Sequence, residues 1–127
     1  MSYSNALKLL DKLSSAGIKE IDIMGGEPFL LRWMPDFIEA ALNKNLMVNI
    51  STNGSVKKVV RRFKGIDPGK FNIGISLEGS YGENHNRLTN SSHFNNAVDS
   101  IKELVALNLN PVVKTVVTKK GLRQKYG

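Results

Sequence analysis

Segments of two different periods alternate along this chain, and that alternation restricts the fold more than any other feature. Residues 4–16 place Ala6, Leu9, Leu10 and Leu13 on one helical face, with Gly17 as a C-terminal stop. A short apolar strand follows at 20–25. Residues 34–44 return to helical spacing through Phe37, Ile38, Ala41 and Leu42, with Pro35 and Asp36 suited to the first turn. A strand at 46–52 comes next. A third helix is expected from about Ser55, burying Val56, Val59, Val60 and Phe63 and ending at Gly65. A strand at 71–77, a polar loop at 79–91, a helix at 92–108 and a last strand at 112–118 complete the chain. That last helix spaces Phe94, Ala97, Val98, Ile101, Leu104 and Val105 for one face. This order predicts an α/β fold: one domain over residues 1–127, with four parallel strands joined by right-handed crossovers.

Parallel strands covered on both faces read as unbroken apolar runs. Two strands here do not. Val48 and Ile50 alternate with Asn49, Ser51 and Asn53. Phe71, Ile73, Ile75 and Leu77 alternate with Asn72, Gly74, Ser76 and Glu78. Side chains in a strand have period two, so each polar set shares one face. An ordinary antiparallel sheet with one wet face would alternate in the same way, but the intervening helices favour a parallel sheet. Burying the polar set without partners would cost about 1–3 kcal/mol per group. A curled sheet with a polar interior, a barrel or part of one, therefore fits best, with its site at the carboxyl ends of the strands.

Those strand tops are distinctive. The first is Gly25-Gly26-Glu27-Pro28. Two glycines let a ligand approach the main chain, and Pro28 ends the strand with Glu27 held at its tip. The next are Ser51-Thr52-Asn53-Gly54 and Ser76-Leu77-Glu78-Gly79. Together they offer carboxylates for an ammonium group, and hydroxyls or amides for a ribose or a carboxylate. No nucleophile–base pair stands out.

Composition removes other classes. The chain has no cysteine, which excludes disulfides and any cysteine-held zinc or iron–sulfur cluster built by these residues. The two histidines, His85 and His93, are too few for a metal site. No apolar run approaches membrane-spanning length and the N-terminus lacks a signal-peptide pattern, so a cytoplasmic protein without a membrane partner is expected. The net charge of +7 raises nucleic acid as a partner. The cluster Lys57, Lys58, Arg61, Arg62 and Lys64 sits at helical spacing without interleaved aromatics, so nucleic-acid binding ranks last.

Four motifs in order then resemble the radical S-adenosylmethionine superfamily: Gly25-Gly26-Glu27-Pro28 with Phe29-Leu30, Ser51-Thr52-Asn53-Gly54, Ile75-Ser76-Leu77-Glu78-Gly79, and His85-Asn86-Arg87-Leu88-Thr89 ahead of Ser92-His93-Phe94-Asn95-Asn96-Ala97. The ending Thr115-Val116-Val117-Thr118 fits as well. The resemblance implies a partial, TIM-like (β/α)6 barrel that binds a [4Fe–4S] cluster and S-adenosylmethionine at the strand tops. It implies that Gly25, Gly26 and Glu27, followed by Pro28, meet the methionine ammonium. Thr52, Asn53, Ser76 and Arg87 would face the methionine or the ribose, with Glu78 beside them. It also implies a C-x3-C-x2-C loop on a strand before Met1, so the cluster belongs to a full-length parent only. This chain would then be a central fragment that binds the cofactor but does not catalyse alone. A cluster-free module for a nucleotide-like ligand is the alternative. A barrel piece leaves unpaired strands at both sheet edges, so self-association is expected.

Overall fold

The computed structural model describes residues 1–54, 57–77 and 94–115. Helix α1 (Tyr3–Ser15) begins at Ser2, whose hydroxyl accepts from the Asn5 N–H at 3.1 Å. It stops at Gly17, whose φ of +88° is a left-handed conformation that a side chain would strain. Strand β1 (Glu20–Ile23) leads to a single 3-10 turn at Pro28–Leu30. Helix α2 (Met34–Asn43) carries Pro35 and Asp36 in its first turn. Strand β2 (Met47–Thr52), a 3-10 segment at Lys57–Phe63, strand β3 (Phe71–Ser76), helix α3 (Phe94–Ala106) and strand β4 (Val112–Lys114) follow.

The four strands form one parallel sheet in the order β1-β2-β3-β4. Pairing is in register along its width: Asp22 lies beside Asn49, and Asn49 beside Asn72. One face of the sheet is covered. Val48, Ile50, Phe71, Ile73 and Ile75 on the strands are buried with Leu10 of α1, Ile38 and Ala41 of α2, and Ala97 and Leu104 of α3. Phe63 closes the middle of this core, its ring 4.9 Å from that of Phe71 and 5.7 Å from that of Phe29.

The structure departs from the periodic reading in three places. The expected third helix is, where described, a 3-10 segment and not an α-helix. Val59 and Val60 are β-branched, which lowers helix propensity, and the 3-10 segment that replaces the helix spans seven residues, Lys57–Phe63. Leu9 and Val105 are 43% and 58% exposed, so the buried stripes of α1 and α3 are narrower than the spacing implies. On α3 the buried positions are Ala97, Ser100 and Leu104. The first strand ends at Ile23, leaving Met24 75% exposed. The polar loop at 79–91, Ser55, Val56 and residues 116–118 of the last strand lie outside the described residues.

Candidate functional site

Glu27 stands where β1 has ended, at the start of the 3-10 turn that Pro28 initiates. Its half-buried carboxylate accepts from the Thr52 hydroxyl and, at 3.0 Å, from the Asn53 N–H. The Phe29 N–H is 3.4 Å from the same group. The Thr52 hydroxyl in turn accepts from the Gly54 N–H at 3.1 Å. These bonds tie the tip of β1 to the tip of β2. The expected residues Glu27, Thr52 and Asn53 are therefore brought together, with Pro28 buried behind them. Thr52 is buried on the helix-covered side of the sheet. Its parity matches Val48 and Ile50, not the polar Asn49 and Ser51.

Gly25 and Gly26 are exposed, and a Cβ built on either would meet nothing within 4 Å. The corner is thus open to a ligand, and the φ of +114° at Gly25 is one that only glycine adopts without strain. Thr52 pairs with Ile75, so Ser76 comes one step beyond that pair, at the same end of the sheet as Asn53. Ser76 is half-buried. Glu78 and Arg87 lie outside the described residues.

The uncovered face of the sheet is a bonded row of polar side chains. Asn49 Nδ2 donates to Asp22 Oδ1 at 2.6 Å and to Glu20 Oε1 at 2.5 Å. Asn72 Nδ2 donates to Asn49 Oδ1 at 2.7 Å. Each amide thus has a partner, which removes the cost of leaving it unpaired. Lys114 crosses this face, its Nζ donating to Ser51 Oγ at 2.7 Å. It passes over Gly74, where a Cβ would come within 2.9 Å of that Nζ. Ser51 belongs to the expected strand-top set Ser51-Thr52-Asn53-Gly54, whereas Lys114 was not among the residues expected from the sequence. Lys114, in β4, pairs with Ser76 of β3, which puts it on the polar face.

The two arginines of the basic segment face acidic partners. Arg62 donates to Asp36 at 2.5 Å and lies 3.8 Å from Glu39; Arg61 donates to Glu103 at 3.1 Å. The hydrogen bond to Asp36 is the main cause that raises the Arg62 pKa; desolvation offsets part of it, and the charges of Asp36 and Glu39 add smaller upward shifts. Arg62 is therefore a cation at any working pH. Among the described residues, no group of three or more His, Asp or Glu could hold a metal ion, and no helix is long and apolar enough to cross a membrane.

The family model for the radical SAM superfamily matches residues 1–122. The chain belongs to that superfamily. Its four parallel strands and alternating helices are the architecture of part of a radical SAM α/β barrel. Curated relatives include a GTP 3′,8-cyclase of Helicobacter pylori (strain J99), 31% identical over 122 residues, or 94% of this chain and 37% of that protein. A GTP 3′,8-cyclase of Petrotoga mobilis is 26% identical over 125 residues, 96% of this chain and 38% of the relative. An S-adenosylmethionine-dependent nucleotide dehydratase of Lacinutrix mariniflava is 40% identical over 50 residues, 39% of this chain and 10% of that protein. The radical SAM segment seen here thus spans somewhat over a third of the cyclases it matches.

Proposed function

We propose that this chain is the cofactor-holding middle of a radical SAM enzyme and binds S-adenosylmethionine at the strand tops. The observation that carries the reading is the open Gly25-Gly26 corner, bare of side chains and followed at once by the fixed carboxylate of Glu27. A backbone so exposed presents its polar groups to a ligand at no steric cost. Glu27 would offer negative charge to the methionine ammonium, while Asn53 and Ser76 would bond its carboxylate or the ribose. Glu78 and Arg87 join this set by resemblance alone. When bound in a cluster-bearing enzyme, S-adenosylmethionine supplies radical chemistry. The 127 residues contain no thiolate, so they do not fit a [4Fe–4S] cluster, and no reaction step through one is drawn. The reading is therefore of a binding element that does not turn over alone.

The relatives' names support a nucleotide as the substrate class of the parent enzyme. GTP, which the cyclases' name includes, is a polyanion. Lys114, on the polar face below the strand tops, is placed to meet such charge. A cluster-free module for a nucleotide-like ligand remains the second reading, favoured by the same lack of thiolates.

Calorimetry at millimolar S-adenosylmethionine tests the proposal. The unaltered chain should release or absorb heat on binding, and Gly26→Val should weaken it by about tenfold or more, equivalent to about 1.4 kcal/mol. The valine has open space around it, so the melting temperature of the unliganded chain should not move. No heat with the unaltered chain, or equal affinity in both, would overturn the reading. GTP binding with no response to S-adenosylmethionine would promote the second one.

A further inference from the structure

Thr52 is a polar side chain buried at the tip of β2, only 6% exposed. Its hydroxyl donates to the Glu27 carboxylate, 2.7 Å from Oε2, and accepts from the Gly54 N–H at 3.1 Å. A hydroxyl has a single proton to give, so Thr52 has none left for a ligand. The bonding continues into the helix layer. Ser100 of α3, 1% exposed, donates to the Gly54 carbonyl at 3.3 Å. Ala97, one turn earlier on α3, presses on the same glycine, where a Cβ would come 2.8 Å from the Ala97 Cα. A continuous line of bonds thus runs from the buried face of α3 through Gly54 and Thr52 to Glu27. The backbone of Glu27 is fixed separately. Pro28 and Phe29 beside it are buried, and the Phe29 ring packs 5.7 Å from that of Phe63.

We propose that Thr52 and Ser100 are positioning residues that hold the Glu27 carboxylate in place beside the open Gly25-Gly26 corner. Neither touches the ligand. A glutamate side chain is long and rotamer-rich, and ordering it only when a ligand arrives would weaken binding. Core packing fixes its Cα end alone. The Thr52 O–H, together with the Asn53 N–H at 3.0 Å, fixes the carboxylate end. A carboxylate has about four acceptor positions, so these bonds leave it capacity for an ammonium group. Ser100 acts one step further back, by holding the backbone that presents the Asn53 and Gly54 amides. The ammonium rests on the S-adenosylmethionine reading, whereas the positioning is measurable without any ligand.

Asn53 is the deciding position, because its N–H bonds to Glu27 and not to Thr52. Thr52→Val keeps the shape of the side chain and removes the hydroxyl. Amide hydrogen exchange of the ligand-free chain, followed by NMR, should speed up at Asn53 by about tenfold or more in this variant, and by less in Ser100→Ala. Mid-strand amides of β2 and β3 provide the reference, since a general loss of stability accelerates them together with Asn53. Thr52→Ser, which keeps a hydroxyl, should bring Asn53 back most of the way. Ser100→Ala carries the test should the valine variant not fold. Asn53 exchange that follows the mid-strand amides in both variants, or no recovery with serine, would overturn the proposal. In calorimetry, Thr52→Val should bind S-adenosylmethionine several-fold more weakly than Thr52→Ser, and equal affinities would also overturn it. No heat with the unaltered chain overturns the S-adenosylmethionine reading alone, and exchange at Asn53 then still decides for or against Thr52.

Discussion

Gly54 is where the chain passes a helix without room for a side chain. Its φ is +73°, and a Cβ there would lie 2.8 Å from the Ala97 Cα and 3.3 Å from Ile75 Cγ2. Its carbonyl accepts from the buried Ser100 hydroxyl at 3.3 Å. Gly54→Ala adds backbone strain of about 1 kcal/mol to a collision with a helix backbone that cannot give way, so a loss above about 2 kcal/mol is expected. Gly17→Ala has similar strain at φ +88° but nothing nearby, and should cost only about 1 kcal/mol. Urea denaturation of the two variants reads the difference. At this scale the sequence was informative only locally. Pro28 announces that Glu27 sits at a strand tip. That its carboxylate engages Thr52 was not legible, because the two are 25 residues apart and Thr52 shares the parity of apolar neighbours. Lys114 was missed for a related reason, since its partner Ser51 is 63 positions away.

Elements were easier to read than their packing. The alternation of periods two and 3.6 gave the first three strands and both described crossover helices within about two residues of their observed bounds, because one covered sheet face enforces both patterns; the last strand, expected over 112–118, is a strand over Val112–Lys114. The expected third helix failed the same test. Valines at 56, 59 and 60 satisfy helical spacing, yet the segment needs only to drop Phe63 between Phe29 and Phe71, which a 3-10 path accomplishes. The width of a buried stripe was equally hidden, since spacing cannot tell where the covering layer ends. Two positions on α3 make this measurable. Leu104→Ala removes a fully buried side chain and should cost about 2–5 kcal/mol. Val105→Lys, one residue on and 58% exposed, should change stability by less than about 0.5 kcal/mol in the monomer. Thermal or urea unfolding of the two variants reads the contrast.

For the whole molecule, net charge is a weaker guide than charge placement. The chain carries +7, yet the described arginines of its most basic segment bond to Asp36 and Glu103, with Glu39 close by. Phosphate contacts made by Arg61 or Arg62 would have to break those pairs. Binding to duplex DNA should therefore remain in the non-specific range, about 10⁻⁴–10⁻⁶ M at physiological salt, and be independent of sequence. Filter binding against several unrelated duplexes checks this, and a clear preference for one of them would count against it. The sheet has a consequence of another kind. Its strands stand side by side in the order in which they are synthesised, so no strand waits for a partner encoded later before it can begin to pair. Once β2 is made it can lay itself beside β1, and β3 beside β2. Only the newest strand is ever unpaired on the growing side. Synthesis proceeds at about 5–20 residues per second, slow against the microseconds of local structure formation. The fold can therefore be assembled from its N-terminal end while the ribosome is still translating it, with the growing edge always the last strand to emerge.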